Sequence, residues 1–182
     1  NQGMCSKLCK GCKFSSRLKY CMYNQDMAKH YDTILDARNQ GFRAGGLIIK
    51  DSKVLLMHQI LGDEDFFTLP GGSWEKGETI EETCAREIKE EFGIGVEVGK
   101  LVFLLDTKTR IAFYFLCTTD ETDIKLGGPE KNRMNEQEQY HVEWLDLDEI
   151  AKVNFIPVPA KEGIIQYLTN PEQPTYFLTT KK

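Results

Sequence analysis

Apolar and polar residues follow two different periods along this chain, and the change between them marks its elements. Ala44 to Lys50 and Val54 to Gln59 are rich in Leu, Ile and Val and flank Asp51-Ser52-Lys53, which predicts two strands joined by a tight turn. Phe66 to Leu69 predicts a short strand stopped by Pro70-Gly71-Gly72. Ile80, Cys84 and Ile88 then recur at four-residue spacing, on one face of a helix predicted over 80–92. Thr79 and Glu82 fit a capping box at its start, and Gly93 stands where a left-handed cap would end it. Val96 to Leu105 and Ile111 to Thr118 predict a long hairpin around residues 106–109. The polar stretch 119–139 reads as a loop, followed by a strand over 140–144, a helical turn from Asp146 to Ile150, and a last helix over 159–168 opened by Pro159. Strands interleaved with two or three helices predict an α+β fold, a sandwich built on a mixed sheet.

Before Gly41 the pattern is different. Met27, Tyr31, Ile34 and Leu35 suggest a short helix over 25–38, and the rest has no period. Residues 1–43 hold eight Lys/Arg against three Asp, whereas residues 44–182 hold 15 basic against 25 acidic residues. Two regions are therefore expected: a basic, Cys-rich segment over 1–40 and a main domain over 41–182. In the first, Cys5, Cys9, Cys12 and Cys21 have the spacing C-x3-C-x2-C-x8-C. Four thiolates suit a structural Zn²⁺ site, and the competing reading is free thiols on a basic tail.

Composition narrows the function classes. With 182 residues, 41% apolar and 28% charged, the chain has the make-up of a soluble domain with a real core. No apolar run reaches 18 residues and no apolar leader opens the chain, so a cytoplasmic location is the default expectation. A net charge of −5 argues against extended nucleic acid as the partner.

The chemistry concentrates in Arg86-Glu87-Ile88-Lys89-Glu90-Glu91. Glu87, Glu90 and Glu91 lie at i, i+3 and i+4, so the three carboxylates share one helical face and repel. Glu90 and Glu91 also occupy the last turn, where the helix dipole favours cations. A divalent cation would repay both costs. Mg²⁺ takes oxygen ligands and bridges carboxylates to substrate phosphates.

The wider pattern makes this specific. Gly72 is followed after five residues by Glu78, and after seven more by Arg86-Glu87-Ile88-x-Glu90-Glu91-x-Gly93-Ile94. At average residue frequencies, such a register should arise by chance on the order of once in ten million chains of this length. The chain resembles the Nudix (MutT-like) hydrolase superfamily over roughly residues 41–169. That resemblance implies an α/β/α sandwich and Mg²⁺-dependent hydrolysis of a nucleoside diphosphate linked to another group, with Mn²⁺ able to substitute. By position it implies Glu87, Glu90 and Glu91 as metal ligands, joined by the carbonyl of Gly71 or Gly72. Arg86 resembles the arginine that orients them, Glu78 the glutamate near the start of the motif, and Glu91 or a late-loop glutamate the general base. Relatives draw a further carboxylate from a loop before a late strand, a place that Glu136 and Glu138 occupy here.

The substrate is less determined. Marks of the ADP-ribose, NADH, diadenosine-polyphosphate and coenzyme A subgroups are absent or out of place, which leaves a nucleoside triphosphate or another small nucleotide favoured. The rivals are hydrolysis of nucleotide sugars or dinucleotides, a non-catalytic nucleotide-binding domain, and a diphosphate isomerase. Phe66, Phe67, Trp74, Phe113 and Tyr140 could include a base-stacking residue, although aromatic residues in strands are usually core. A second copy of the chain, as a homodimer, is a candidate partner.

Overall fold

The structure, a computed structural model, describes residues 41–107, 109–172 and 175–179. The helix expected over 25–38 and the proposed zinc ligands Cys5, Cys9, Cys12 and Cys21 lie outside the described residues.

The first hairpin forms as its pattern predicts. Strand β1 (Phe42–Lys50) returns as β2 (Lys53–Leu61) through Asp51 and Ser52, whose φ angles of 50° and 62° are those a two-residue hairpin turn demands. β3 (Glu64–Thr68) pairs antiparallel with β2, and β4 (Gly71–Ser73) pairs antiparallel with Arg43, Ala44 and Gly45 of β1. Helix α1 spans Ile80–Phe92. It is followed by the antiparallel pair β5 (Glu97–Asp106) and β6 (Ile111–Thr118). β6 runs parallel to β1 through seven register pairs, Phe42↔Ile111 to Ile48↔Cys117. Strand β7 (Glu138–Leu145) pairs with β2, and helices α3 (Leu147–Lys152) and α4 (Val158–Thr169) follow it. The result is a mixed eight-stranded sheet with the order β3-β2-β1-β6-β5-β8, β4 joining β1 and β7 joining β2; β8 is Tyr176–Thr179.

Two apolar cores make this a sandwich. Cys84, Ile88 and Phe92 of α1 pack on Ala44, Ile48, Phe115 and Cys117 on one side. Ala160, Ile164 and Tyr167 of α4 pack with Leu47, Phe103, Leu105 and Tyr114 on the other. No described helix is long and apolar enough to cross a membrane.

Three elements depart from the sequence reading. Gly71–Ser73 is a strand, because its glycines let the backbone come against β1; a Cβ on Gly71 would collide with the Ala44 carbonyl. The polar stretch read as a loop contains helix α2, Gly128–Arg133, with Pro129 in its first turn. β8 adds to the edge of β5 by parallel pairing, which no local period announces.

Candidate active site

The acids are carried by a helix whose ends and rotation are fixed. Thr79 Oγ1 accepts the Glu82 backbone N–H at 3.1 Å, and Glu82 Oε2 accepts the Thr79 N–H at 2.7 Å. At the other end, Gly93 at φ 70° donates to the Lys89 carbonyl at 3.0 Å. Cys84, Ile88 and Phe92 are fully buried, and burying Ile88 alone stabilises by about 1.5–3 kcal/mol. With this face held on the sheet, Glu87 and Glu91 meet the Gly71-Gly72 backbone: Gly71 N–H donates to Glu91 Oε2 at 2.8 Å, and the Glu87 carboxyl lies where a Cβ on Gly72 would be. Glycine is needed at residue 72 for that reason, not for its φ.

Arg86 organises the acids. Its Nε and Nη2 donate to both Glu78 oxygens at 3.0 and 2.9 Å, a bidentate fork. Nη1 donates to Glu87 Oε1 at 2.8 Å and stands 3.5 Å from Glu90 Oε2, while Nη2 also reaches the Ser73 carbonyl at 3.0 Å. Glu78 is further held by the Thr83 hydroxyl at 2.8 Å and the Glu75 N–H at 2.7 Å. The Arg86 hydrogen bonds outweigh burial and hold the Glu78 carboxyl down to about 2. Both Glu78 oxygens are thus engaged inside the protein, and it braces Arg86.

The other acids are strained electrostatically. Burial pushes the Glu91 carboxyl up to about 8, against the charge of Arg43 and the Gly71 N–H, and Glu87 and Glu130 add repulsion. Burial likewise raises Glu87 more than Arg86 lowers it. Glu90 is half exposed. Among the described residues, no three acid, imidazole or thiol side chains close into a ready-made metal cage. Mg²⁺ does not need one, since it keeps several waters and uses one or two carboxylates plus substrate phosphates. Two partly buried carboxylates with raised proton affinity, beside a half-exposed third, fit that ion.

In the segment expected to supply a further carboxylate, the structure brings Glu130 towards the acidic helix rather than Glu136 or Glu138. Glu130 on α2 is the acid of this segment whose charge reaches Glu91. α2 is brought there by Gly127, whose N–H donates to the Glu91 carbonyl at 2.7 Å, and by Gly128 at φ 64°; a Cβ on either would press on the Glu90 carbonyl. Glu136 is exposed beyond α2, and Glu138 opens β7 opposite Leu61, its N–H donating to Asn135 Oδ1 at 3.1 Å. The signal for Glu130 was Gly127-Gly128-Pro129-Glu130, a helix start concealed in a polar stretch.

Arg43 was missed altogether. It lies on β1 beside Gly71-Gly72-Ser73, and its charge acts on Glu91, Glu87 and the Tyr114 phenol. It also lines a cavity of about 280 Å³ whose walls include Gln59, Phe66, Thr68, Arg110 and Tyr114. Phe66 thus joins the cavity while still being buried; Phe67 and Tyr140 are core, and Trp74 donates its indole N–H to the Glu78 carbonyl at 2.7 Å.

Comparison with known proteins agrees with this geometry. The family model for the NUDIX domain matches residues 41–165. An ADP-ribose pyrophosphatase of Methanocaldococcus jannaschii is 32% identical over 117 residues, covering 60% of this chain and 64% of that protein. A MutT-like protein of Streptomyces ambofaciens is 34% identical over 111 residues, covering 60% of this chain and 65% of its own length. The chain thus spans just under two thirds of each of these relatives. A NUDIX hydrolase from Nitrosomonas europaea has the same fold, with a TM-score of 0.61, 21% identity and 78% of each chain covered. The motif at 72–94, the sandwich around it and the match over 41–165 together establish that the chain belongs to the Nudix family.

Proposed function

We propose that this chain is a Mg²⁺-dependent hydrolase that cleaves a pyrophosphate bond in a nucleoside diphosphate-linked substrate. The observation that carries this reading is the placement of Glu87 and Glu91 beside Gly71-Gly72, with Glu87 and Glu90 gathered by an Arg86 that Glu78 braces. Glu87, Glu90 and Glu91 would hold the cation, and Glu130 is the late-loop acid placed to assist. When bound, the ion would neutralise diphosphate oxygens and lower the pKa of an attacking water.

The chain's own residues supply the rest. Arg86 sets the direction of Glu87 and Glu90, so the ligands are preorganised. Glu91, whose proton affinity is raised by burial, is suited to accept the proton of the attacking water. Gly71 and Gly72 keep the backbone close to the acids and leave room that any side chain would fill.

A nucleoside triphosphate remains the favoured substrate; the name of the archaeal relative makes ADP-ribose the first competitor to test. The experiment is a hydrolysis screen with and without Mg²⁺ over nucleoside triphosphates, ADP-ribose, nucleotide sugars and dinucleotides, with product identification. Glu90→Gln and Glu91→Gln should each abolish turnover and leave the fold intact. Near-wild-type hydrolysis by both variants, or turnover indifferent to chelator, would overturn the reading.

A further inference from the structure

Far from the acids, at the turn that joins β1 to β2, two lysines stand directly opposite each other. Lys50 and Lys53 are register partners, so their side chains leave the hairpin on one face. The turn between them is Asp51-Ser52, left-handed at φ 50° and 62° without a glycine, and it fixes the two strand ends in register. Like charges so opposed weaken a strand pair. Lys53 has Glu149 at 4.0 Å, with both side chains 46% exposed, a contact that relieves little. Lys50 has no hydrogen-bond or ion-pair partner among the described residues. The pair is therefore open to an anion that both ammonium groups can share.

Both lysines line a second cavity, of about 320 Å³, together with Trp144 of β7 and Ile124. Lys50 ends β1 and Arg43 stands near its start, on the order of 20 Å away along an extended strand, and the two cavities share no lining residue. Trp144 and Ile124 also pack against the apolar layer of Cys84, Ile88 and Phe92, which holds the indole in place. Trp74 gives its indole N–H to the Glu78 carbonyl, but the Trp144 N–H has no partner among the described residues, and neither has the Thr122 hydroxyl beside it. Two acids complete the wall. Glu121 Oε1 accepts the Gly95 N–H at 2.7 Å, whereas Asp51 is unpaired among the described residues and can accept from a ligand. The cavity thus combines a cationic pair, a flat apolar face and a free acceptor. Its volume lies at the small end for ligand sites, which run from ~300 Å³ upward, so it suits one molecule of nucleotide size.

We propose that this cavity is a second ligand site, remote from the acidic helix, for a nucleoside monophosphate. The phosphate lies between Lys50 and Lys53, the base rests on Trp144, and N–H groups of the base face Asp51. Each part answers a feature of the wall. A phosphate carries enough charge and enough oxygens to be shared by two ammonium groups. The face of a base suits an indole. A bare inorganic anion would use only the lysines, and a bare nucleoside only the indole and Asp51. Binding here changes no bond, needs no metal and does not rest on the hydrolase reading. Because Trp144 and Ile124 share an apolar layer with Cys84, Ile88 and Phe92, an occupant also stabilises the seat of α1 from behind.

The chain has two tryptophans, so Trp74→Phe leaves Trp144 as the sole indole reporter. Emission of this full-length variant is titrated in chelator with AMP, GMP, their nucleosides and inorganic phosphate. At least one monophosphate should quench Trp144 saturably below millimolar concentration, about tenfold more tightly than its nucleoside or phosphate alone, the low end for a charge-assisted contact because the lysines are exposed. Lys50→Ala and Lys53→Ala should each weaken that binding about threefold to tenfold, and Arg43→Gln, at the other end of β1, should leave it unchanged. If Trp74→Phe does not fold, calorimetry of the wild-type chain against Lys50→Ala and Arg43→Gln reads the same difference. Absence of saturable binding by either monophosphate at millimolar concentration overturns the proposal. So does binding of phosphate or nucleoside as tight as that of the monophosphate, or binding that Arg43→Gln removes and the lysine variants leave intact. None of these outcomes bears on Mg²⁺-dependent turnover, which the hydrolysis screen tests separately.

Discussion

Replacing Glu91 with Gln should make the metal-free protein more stable as it removes activity. The Glu91 carboxyl is pushed from the ordinary 4.5 up to about 8, with burial the largest cause. A raised carboxylate pKa means the folded state disfavours the ionised form. That cost is absent below about pH 4.5, grows as pH rises towards 8, and is constant above it. At 1.36 kcal/mol per pH unit the full interval corresponds to at most about 5 kcal/mol. The residue as a whole is only half-buried, so solvent screening reduces this to about 2–3 kcal/mol. Glutamine fills the same space and its oxygen can still accept the Gly71 N–H, but it carries no charge. The assay is urea denaturation in chelator at pH 5 and pH 9 for both proteins. Glu91→Gln should gain about 2–3 kcal/mol at pH 9 and little at pH 5, and added Mg²⁺ should stabilise wild type much more than the variant. A variant less stable than wild type at pH 9, or a gain independent of pH, would refute the reasoning.

Other expectations follow from the same contacts. Glu78 is held at about 2, so its stabilisation is present above about pH 4.5 and lost as pH falls towards 2; Glu78→Gln should flatten the acid limb of a pH–stability curve and cost about 1–3 kcal/mol at pH 7. Arg86→Lys keeps the charge but breaks the fork onto Glu78, so kcat should fall at least about tenfold in steady-state assays with the circular dichroism spectrum unchanged. Gly72→Ala places a Cβ on the Glu87 carboxyl and should weaken Mg²⁺ activation, read as a raised metal concentration for half-maximal rate. His58 joins β2, β3 and β7, its Nδ1 at 2.6 Å from Glu143 and its Nε2 at 2.7 Å from Asp65. Burial opposes its charge, but the two carboxylates prevail and raise its pKa. Its stabilisation, about 1 kcal/mol, should therefore be full below pH 6.5 and fade as pH rises through the higher folded value, a trend that His58→Gln should abolish in thermal melts.

Much of the fold could be read along the chain because its determinants are local. The β1–β2 turn, the Thr79/Glu82 capping box, the Gly93 cap and the apolar face of Ile80, Cys84 and Ile88 are all written within a few residues of where they act. The same holds for Glu78, Arg86, Glu87, Glu90 and Glu91, since one helix and the loop before it set their spacing. What local pattern could not show was decided by packing between distant segments. β4 exists because Gly71 and Gly72 can approach β1, and β8 because β5 leaves an edge to pair. Glu130 stands near Glu91, ahead of Glu136 and Glu138, because Gly127 and Gly128 let α2 close against the end of α1. Arg43, 44 residues before Glu87, is brought to the site only through the pairing of β1 with β4 and β6. The sequence by itself therefore determined which residues carry the proposed chemistry, because one helix and the loop before it set their spacing. The tertiary structure decided which remote residues face that chemistry, because strand pairing and glycine-permitted contacts join positions that no period connects.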